Sequence, residues 1–275
     1  MLFLSSAVAA RSKTVSLGVG LAAGLLLASP AVLAQTFDAV RLYGAAGQDS
    51  GTAGAALIGS NAYPGSDKRR NLILPLLDYQ WNNGWFAGTS NGLGYDFAKR
   101  PDLQYGLRLT ADRGRKANLA PALNGMGNID IKPEAGAFFN YFPSPQWFLT
   151  SSLRYGAGNN SKGLVVDLGA GHASQIAPEW RLVLGAAVTL TNADYLQTYF
   201  GVTPAQAAAS GYAVYAPGAG GRDARANAAL TYFLSRQVTF TGALSVSTLL
   251  GGAKDSPLAR KTSVPTGVFA ISYGF

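Results

Sequence analysis

Alternation of bulky apolar residues with small or polar ones, recurring in segments of about 10 to 14 residues, restricts the fold of this chain more than any other property. Between 147 and 157, Trp147, Leu149, Leu153 and Tyr155 share one face and Thr150, Ser152 and Arg154 the other. From 181 to 190, Leu182, Leu184, Ala186, Val188 and Leu190 oppose Arg181, Gly185 and Thr189, and between 238 and 246, Val238, Phe240, Leu244 and Val246 oppose Thr239, Thr241 and Ser245. The last dozen residues, Val264 to Phe275, repeat the pattern and stop on an aromatic. A period of two is that of a β-strand with its two faces in different surroundings. The pattern predicts strands at 36–46, 52–61, 70–81, 85–97, 103–112, 128–141, 147–157, 163–175, 179–192, 222–234, 238–250 and 264–275.

The first 34 residues read as a targeting segment and stand outside the fold. Arg11 and Lys13 give a basic start, Val15 to Leu27 an apolar stretch, and Val32-Leu33-Ala34 a small-residue cleavage site, so the barrel domain is expected to run from Gln35 to Phe275. The stretch before Arg11 is long for a leader, which suggests that Met1 is an upstream start. A membrane anchor is the other reading, but the apolar run is shorter than the roughly 20 residues a helical span needs. Beyond it no run of 18 apolar residues occurs, which argues against a helical membrane protein. The chain has 22 Lys and Arg against 14 Asp and Glu, spread along its length, so nucleic-acid binding is not indicated. It has no cysteine, which removes disulfides and thiolate metal sites.

A soluble sandwich alternates too, so the decision rests on which face is inside. Closing a sheet hides every backbone edge, and in lipid it must, because no water is there to satisfy free amides. The expected fold is therefore all-β, a transmembrane antiparallel up-and-down barrel of about 12 strands. A terminal strand ending on Phe resembles the closing strand of bacterial outer-membrane barrels, which puts Phe275 at the periplasmic rim. Counting back, the connections 62–69, 98–102, 142–146, 176–178 and 235–237 become periplasmic, and the longer ones at 113–127, 193–221 and 251–263 extracellular, with Asn82-Asn83-Gly84 a short outer turn. Trp81 and Trp85 then fall at the outer rim and Trp147 and Trp180 at the periplasmic rim, where indole is half buried with its N–H wet.

With apolar residues facing lipid, the inner face carries Arg108, Asp112, Asp130, Lys132, Glu134, Arg154, Asp167, Arg181, Asp223 and Arg225. Charges enclosed in a barrel must be paired or hydrated, so these form a salt-bridge network filling the lumen or line a narrow solute channel. The single histidine, His172, shares a face with Ser174, and Glu179 is near in sequence. Such a pair could serve a lipid hydrolase, but it falls near the periplasmic rim, no oxyanion-hole segment is recognisable, and Pro178 separates Glu179 from the strand. One histidine and scattered acids make no metal site, and no cofactor is expected. In the longest loop, Thr203 as N-cap, Pro204 at the first helical position, Gln206 completing a capping box, the alanines that follow and Gly211 as a stop predict a short helix.

Several stretches carry a family resemblance: Tyr63-Pro64-Gly65-Ser66-Asp67, LPLLDYQW from Leu74, GLGYDF from Gly92, Gly127-Asn128-Ile129-Asp130, QTYFGVTPAQAAASG from Gln197, GAGGRDA from Gly218, LLGGAKDSPL from Leu249, and the terminal strand. In these the sequence resembles the MipA/OmpV family, the MltA-interacting proteins of Gram-negative outer membranes, from about Tyr63 to the end. The segment before Tyr63 is looser, and Gly252 stands where the family pattern leads one to expect an acid. The resemblance implies a non-enzymatic outer-membrane barrel, set in outer-membrane lipid, that scaffolds a periplasmic murein hydrolase (a lytic transglycosylase) and a murein synthase (a penicillin-binding protein). A narrow channel for small solutes is the alternative, with Arg108, Arg154, Arg181 and Arg225 as its basic lining. The resemblance brings no catalytic or binding residues. On the predicted topology the interaction turn is the longest periplasmic one, Tyr63, Pro64, Gly65, Ser66, Asp67, Lys68, Arg69 and Arg70.

Overall fold

The computed structural model describes residues 48–275. The leader (1–34) and the strand expected at 36–46 lie outside the described residues. Twelve antiparallel strands close into one barrel in sequence order, β1 (Ser50–Asn61) pairing with both β2 (Arg69–Gln80) and β12 (Ser263–Gly274). The others are β3 (Trp85–Gly88), β4 (Gly92–Asp96), β5 (Leu103–Asp112), β6 (Lys132–Tyr141), β7 (Trp147–Ala157), β8 (Gly163–Ala177), β9 (Trp180–Thr191), β10 (Gly220–Phe233) and β11 (Val238–Leu249). Three short α-helices, α1 (Ala193–Phe200), α2 (Pro204–Ser210) and α3 (Gly251–Lys254), lie in the two loops before β10 and β12, and two 3-10 turns, Ala117–Leu119 and Pro121–Leu123, in the loop before β6. No helix among the described residues is long and apolar enough to cross a membrane.

Alternation sets the two faces as the sequence predicts. Leu244 is 69% exposed, Phe269 55% and Leu184 49%, whereas Glu134 is 2% exposed, Asp167 5% and Arg225 8%. This is the reverse of a water-soluble sandwich, in which the bulky apolar row would be the buried one. The interior is nevertheless not uniformly polar. Ala56, Ile58, Ala229, Ala243, Val268 and Ala270 make a dry inner patch on the β1, β10, β11 and β12 wall, with Leu72, Leu74 and Leu76 of β2 against it.

Both described termini and the turns 81–84, 97–102, 142–146, 178–179 and 234–237 lie at one end, hereafter the terminal end. The connections 62–68, 113–131, 158–162, 192–219 and 250–262 lie at the other, the loop end, and the turn 89–91 faces that end part-way up the wall, beside Leu77. Every connection after β4 falls where the sequence reading puts it; those before β3 are inverted. The stretch 85–97 is not one strand but the hairpin β3–β4, turned at Thr89-Ser90-Asn91. Asp78 fixes that turn by accepting from the Ser90 backbone N–H (3.1 Å) and hydroxyl (2.8 Å). Gly92 leaves it at φ +77°, where an added Cβ would stand 2.1 Å from the Leu109 carbonyl. The hairpin adds a reversal and the twelve described strands close β1 on β12, so the strands before the hairpin run opposite to the sequence reading. All four tryptophans therefore belong to the terminal end, Trp81 and Trp85 included, and the Asn82-Asn83-Gly84 turn with them.

Candidate functional site

Six adjacent strands, β5 to β10, bring a ribbon of alternating charge to the inner wall. Arg154 bonds Asp167 (2.9 Å) and lies 3.5 Å from Glu134. Asp167 also accepts from Arg225 (2.9 Å) and from the Thr189 hydroxyl (2.6 Å). Arg225 lies 3.6 Å from Asp223, which pairs in turn with Arg222. At the other end of the ribbon Arg108 donates to Ser152 across the intervening strand (2.6 Å). Gly136 stands between Arg108 and Arg154 in register, so no side chain blocks that reach. Removing one member would strand a buried charge, at about 3–5 kcal/mol.

Above the ribbon the mouth is stopped by the loops. Asn192 caps α1, its side chain accepting from the Tyr195 N–H (3.0 Å) and also from the Leu164 N–H of β8 (2.9 Å). The apolar spacing of Tyr195, Leu196, Tyr199 and Phe200 gives the helix one buried face. Tyr195 and Tyr199 stack with centroids 4.7 Å apart and reach the wall: Arg222 donates to the Tyr195 hydroxyl (2.9 Å), and the Tyr199 hydroxyl donates to Asp112 (2.5 Å). Burial pushes both phenols above the ordinary tyrosine range; for Tyr199 the neighbouring Tyr195 and the Asp112 carboxylate add to it. Leu196 and Ala253 are wholly buried in this cluster. A second cluster joins the loops to one another through Tyr63, Leu123, Met126, Val202 and Leu258. Hydrogen bonds stitch it together, from the Tyr63 hydroxyl to the Leu258 carbonyl (2.9 Å) and from the Ser256 hydroxyl to the Phe200 carbonyl (2.6 Å). Helix α2 has the predicted capping box and a left-handed Gly211 (φ 78°), but buries none of its residues. It lies on the lid, Gln206 donating to the Met126 carbonyl (2.7 Å).

A family model described as "MltA-interacting protein MipA" matches residues 53–275, nearly the whole barrel. The chain belongs to the MipA family. Curated proteins include no significant match to its sequence. Among solved structures this MipA-family barrel is similar to the KdgM porin (8% identity, 82% of this chain and 99% of that one, TM-score 0.45). It is also similar to the NanC porin (11%, 80% and 98%, TM-score 0.48) and to the outer membrane channel DcaP of Acinetobacter baumannii (8%, 83% and 96%, TM-score 0.41).

In this MipA-family chain the inner wall holds six of the expected lumen residues, Arg108, Glu134, Arg154, Asp167, Asp223 and Arg225. Lys132 begins β6 at the loop-end rim in the inward register, and Arg181 stands exposed in the inward register at the terminal end. Asp130 is not in the lumen: it precedes β6 in the loop, two-thirds exposed (67%), and pairs with Lys116 (3.5 Å). The turn Tyr63 to Arg70 also needs correcting, since it lies at the loop end, opposite Phe275. Tyr63 is part of the lid, and the Gly65 carbonyl accepts from the backbone of Arg260 (2.7 Å) and Lys261 (3.0 Å). His172 and Ser174 do hydrogen-bond (3.0 Å), but on the outer wall, with the Trp147 ring edge-on to the imidazole (4.7 Å). No group of three or more metal-ligating side chains occurs among the described residues. The sequence reading missed α1 and with it Tyr195, Tyr199 and Arg222. Its signal was Asn192 followed by the i, i+1, i+4, i+5 apolar set.

Proposed function

We propose that this chain is a non-enzymatic outer-membrane barrel that acts through its surfaces, as a platform for murein-remodelling enzymes, rather than by passing solutes. The leader 1–34 is removed, residues 35–275 form the barrel domain, the terminal end faces the periplasm and the loop end faces outward. The observation that carries the reading is the stopper: α1 and its neighbours pack over the mouth with Leu123, Leu196 and Val202 at 0% exposure, as tightly as a domain core. The family description, which names an MltA-interacting protein, points to a murein enzyme as the partner.

With Tyr63–Arg70 outside, the partner surface moves to the five short turns at the terminal end. These are stiff: Arg100 bonds Asp102 side by side, and Ser144 and Ser235 each accept backbone N–H groups two and three residues on. Lys99, Arg100 and Arg236 are exposed there. Capture of a purified MltA-class lytic transglycosylase by the assembled barrel should fall in the Lys99→Ala/Arg236→Ala pair and be unchanged in Lys68→Ala/Arg69→Ala. Equal capture by all three would remove the terminal-end platform. Purified protein in a planar bilayer should give no conductance steps above background, and regular steps would return the channel reading.

A further inference from the structure

The barrel wall is not of even height. β3 and β4 have four and five residues where β2 has twelve and β5 ten. β2 pairs with β3 only through Asp78, Tyr79 and Gln80, and β4 meets β5 only from Leu93 to Asp96. From Arg69 to Leu76 no strand among the described residues lies on that side of β2, so a notch opens in the loop-end half of the wall, bounded by β2 and the top of β5. Leu77 exchanges hydrogen bonds with Thr89, which fixes the backbone direction: Ile73 and Pro75 point their amide positions into the notch. Pro75 has no N–H to leave unpaired, as suits an open edge.

Cations gather at this notch. Arg70 lies in the inward register with Leu72, and Arg113 directly follows β5. Burial, with repulsion from Arg70 added, lowers the Arg113 pKa to about 10. The Arg113 Nη2 is buried without a hydrogen-bond partner. Lys68 and Arg69 are exposed at the rim, with one acid near them, Asp67, 3.9 Å from Lys68. The outward row of β2 gives the depth. It runs Arg69, Asn71, Ile73, Pro75, Leu77, Tyr79, about 33 Å of strand. Tilted by roughly 40°, that is about 25 Å of height, the thickness of the apolar band of such barrels. Tyr79 sits in the aromatic group with Trp81 and Phe275, so Arg69 stands at the opposite boundary of the hydrocarbon, above Ile73, which is 77% exposed.

We propose that the notch binds a phosphate-bearing lipid of the loop-side leaflet. Arg70 and Arg113 hold the phosphate, Lys68 and Arg69 close on it from the rim, and the first acyl carbons lie along Ile73 and Pro75. Two like charges without an acid between them are stabilised by a phosphate, which accepts from both guanidinium groups. Position selects a lipid over free anion, because the cations stand where the apolar wall ends. The inference rests on the membrane location and orientation proposed above.

The test uses the folded protein in neutral detergent, with retained lipid read by native mass spectrometry. Dioleoyl phosphatidic acid should be retained and dioleoylglycerol should not. Arg70→Gln/Arg113→Gln should reduce retention about tenfold or more, the loss expected for charge-assisted hydrogen bonds. Should that variant fail to fold, Arg70→Lys/Arg113→Lys, which keeps both charges, should retain the phosphatidic acid with weaker affinity. Equal retention of the two lipids, or no loss in the Gln variant, overturns the site, as does a folded Lys variant that retains nothing. Displacement of phosphatidic acid by an equal concentration of inorganic phosphate also overturns it, since the site would then be one for anions and not for lipid. Fractionation of the wild-type protein is scored separately: absence from the outer membrane would overturn the location, whereas presence there without retained lipid overturns only this inference.

Discussion

The two ends of the barrel solve the problem of meeting water in opposite ways. At the terminal end the connections have two to six residues and the wall finishes in aromatic side chains: Trp81, Trp85 and Trp180 with Tyr79, Tyr95, Phe97, Tyr232, Tyr273 and Phe275 packed in pairs at 4.8–6.3 Å, and Trp147 edge-on to His172 at 4.7 Å. At the loop end three connections are long, fold over the mouth and bury their own core. Charge divides the same way: the five loop-end connections hold eight Lys and Arg against four Asp, the five terminal turns three against one Asp and one Glu. Aromatic rings suit a boundary in which one side is apolar and the other wet, whereas a basic rim suits a surface rich in phosphate. The difference teaches that one end finishes the wall with aromatic rings on short turns, while the other closes the mouth with a core of its own and carries most of the loop cations.

The contrast is broken or sharpened most directly by labelling. The chain has no cysteine, so Asn118→Cys at the loop end and Gln146→Cys at the terminal end can each carry one impermeant maleimide. Intact cells should label the first fully and the second only after the outer membrane is opened; the reverse result would turn the molecule over. Next in size, Leu196→Ala leaves a cavity in the lid and should cost about 2–5 kcal/mol locally. Hydrogen exchange should quicken in α1 and in 250–258 while strand amides near the tryptophans keep their protection. Tyr199→Phe deletes the bond to Asp112 and should cost the lid about 1–3 kcal/mol, read in the same way.

Alkaline pH should act on one end alone. Folding raises the Tyr195 and Tyr199 pKa above the 10.0 of a free tyrosine, so the lid holds the neutral phenols. Its stability is fully present below pH 10 and declines as pH rises beyond that, where released phenols ionise and packed ones resist. Proteolysis within 192–219 should therefore accelerate above that pH, and an unchanged rate would show that the two rings do not hold the lid. Smallest of all, Trp180→Ala removes the ring packed 4.8 Å from Tyr232 and should lower barrel stability by about 0.5–1.5 kcal/mol.

The barrel was legible in the sequence because a period of two survives wherever the wall separates apolar from polar surroundings. Leu182, Leu184, Phe240 and Phe269 announced their face, and Glu134, Arg154 and Asp167 theirs. What escaped was a reversal inside the stretch 85–97, where Thr89-Ser90-Asn91 turns through a side-chain cradle from Asp78 that no local pattern displays. That single turn inverted the early topology and misplaced Tyr63 to Arg70. The lid was half legible: the Thr203 capping box marked α2, none of whose residues is buried, while α1, which packs into the mouth, has an asparagine cap without the reciprocal box. Its anchors, Asp112 and Arg222, lie 87 and 27 residues from the tyrosines they hold.

The ribbon from Arg108 to Asp223 also bears on how the barrel is assembled. Glu134, Arg154, Asp167 and Arg225 find their counter-ions on neighbouring or next-but-one strands, and Arg108 reaches Ser152 in the same way. A strand that slipped by a single residue would swing its charge from the enclosed side into hydrocarbon, where a Lys or Arg near the midplane costs about 2–4 kcal/mol. Mispaired strands are thus penalised one at a time as they join. The ribbon favours the native register over its neighbours by charge alone, whatever the finished barrel binds.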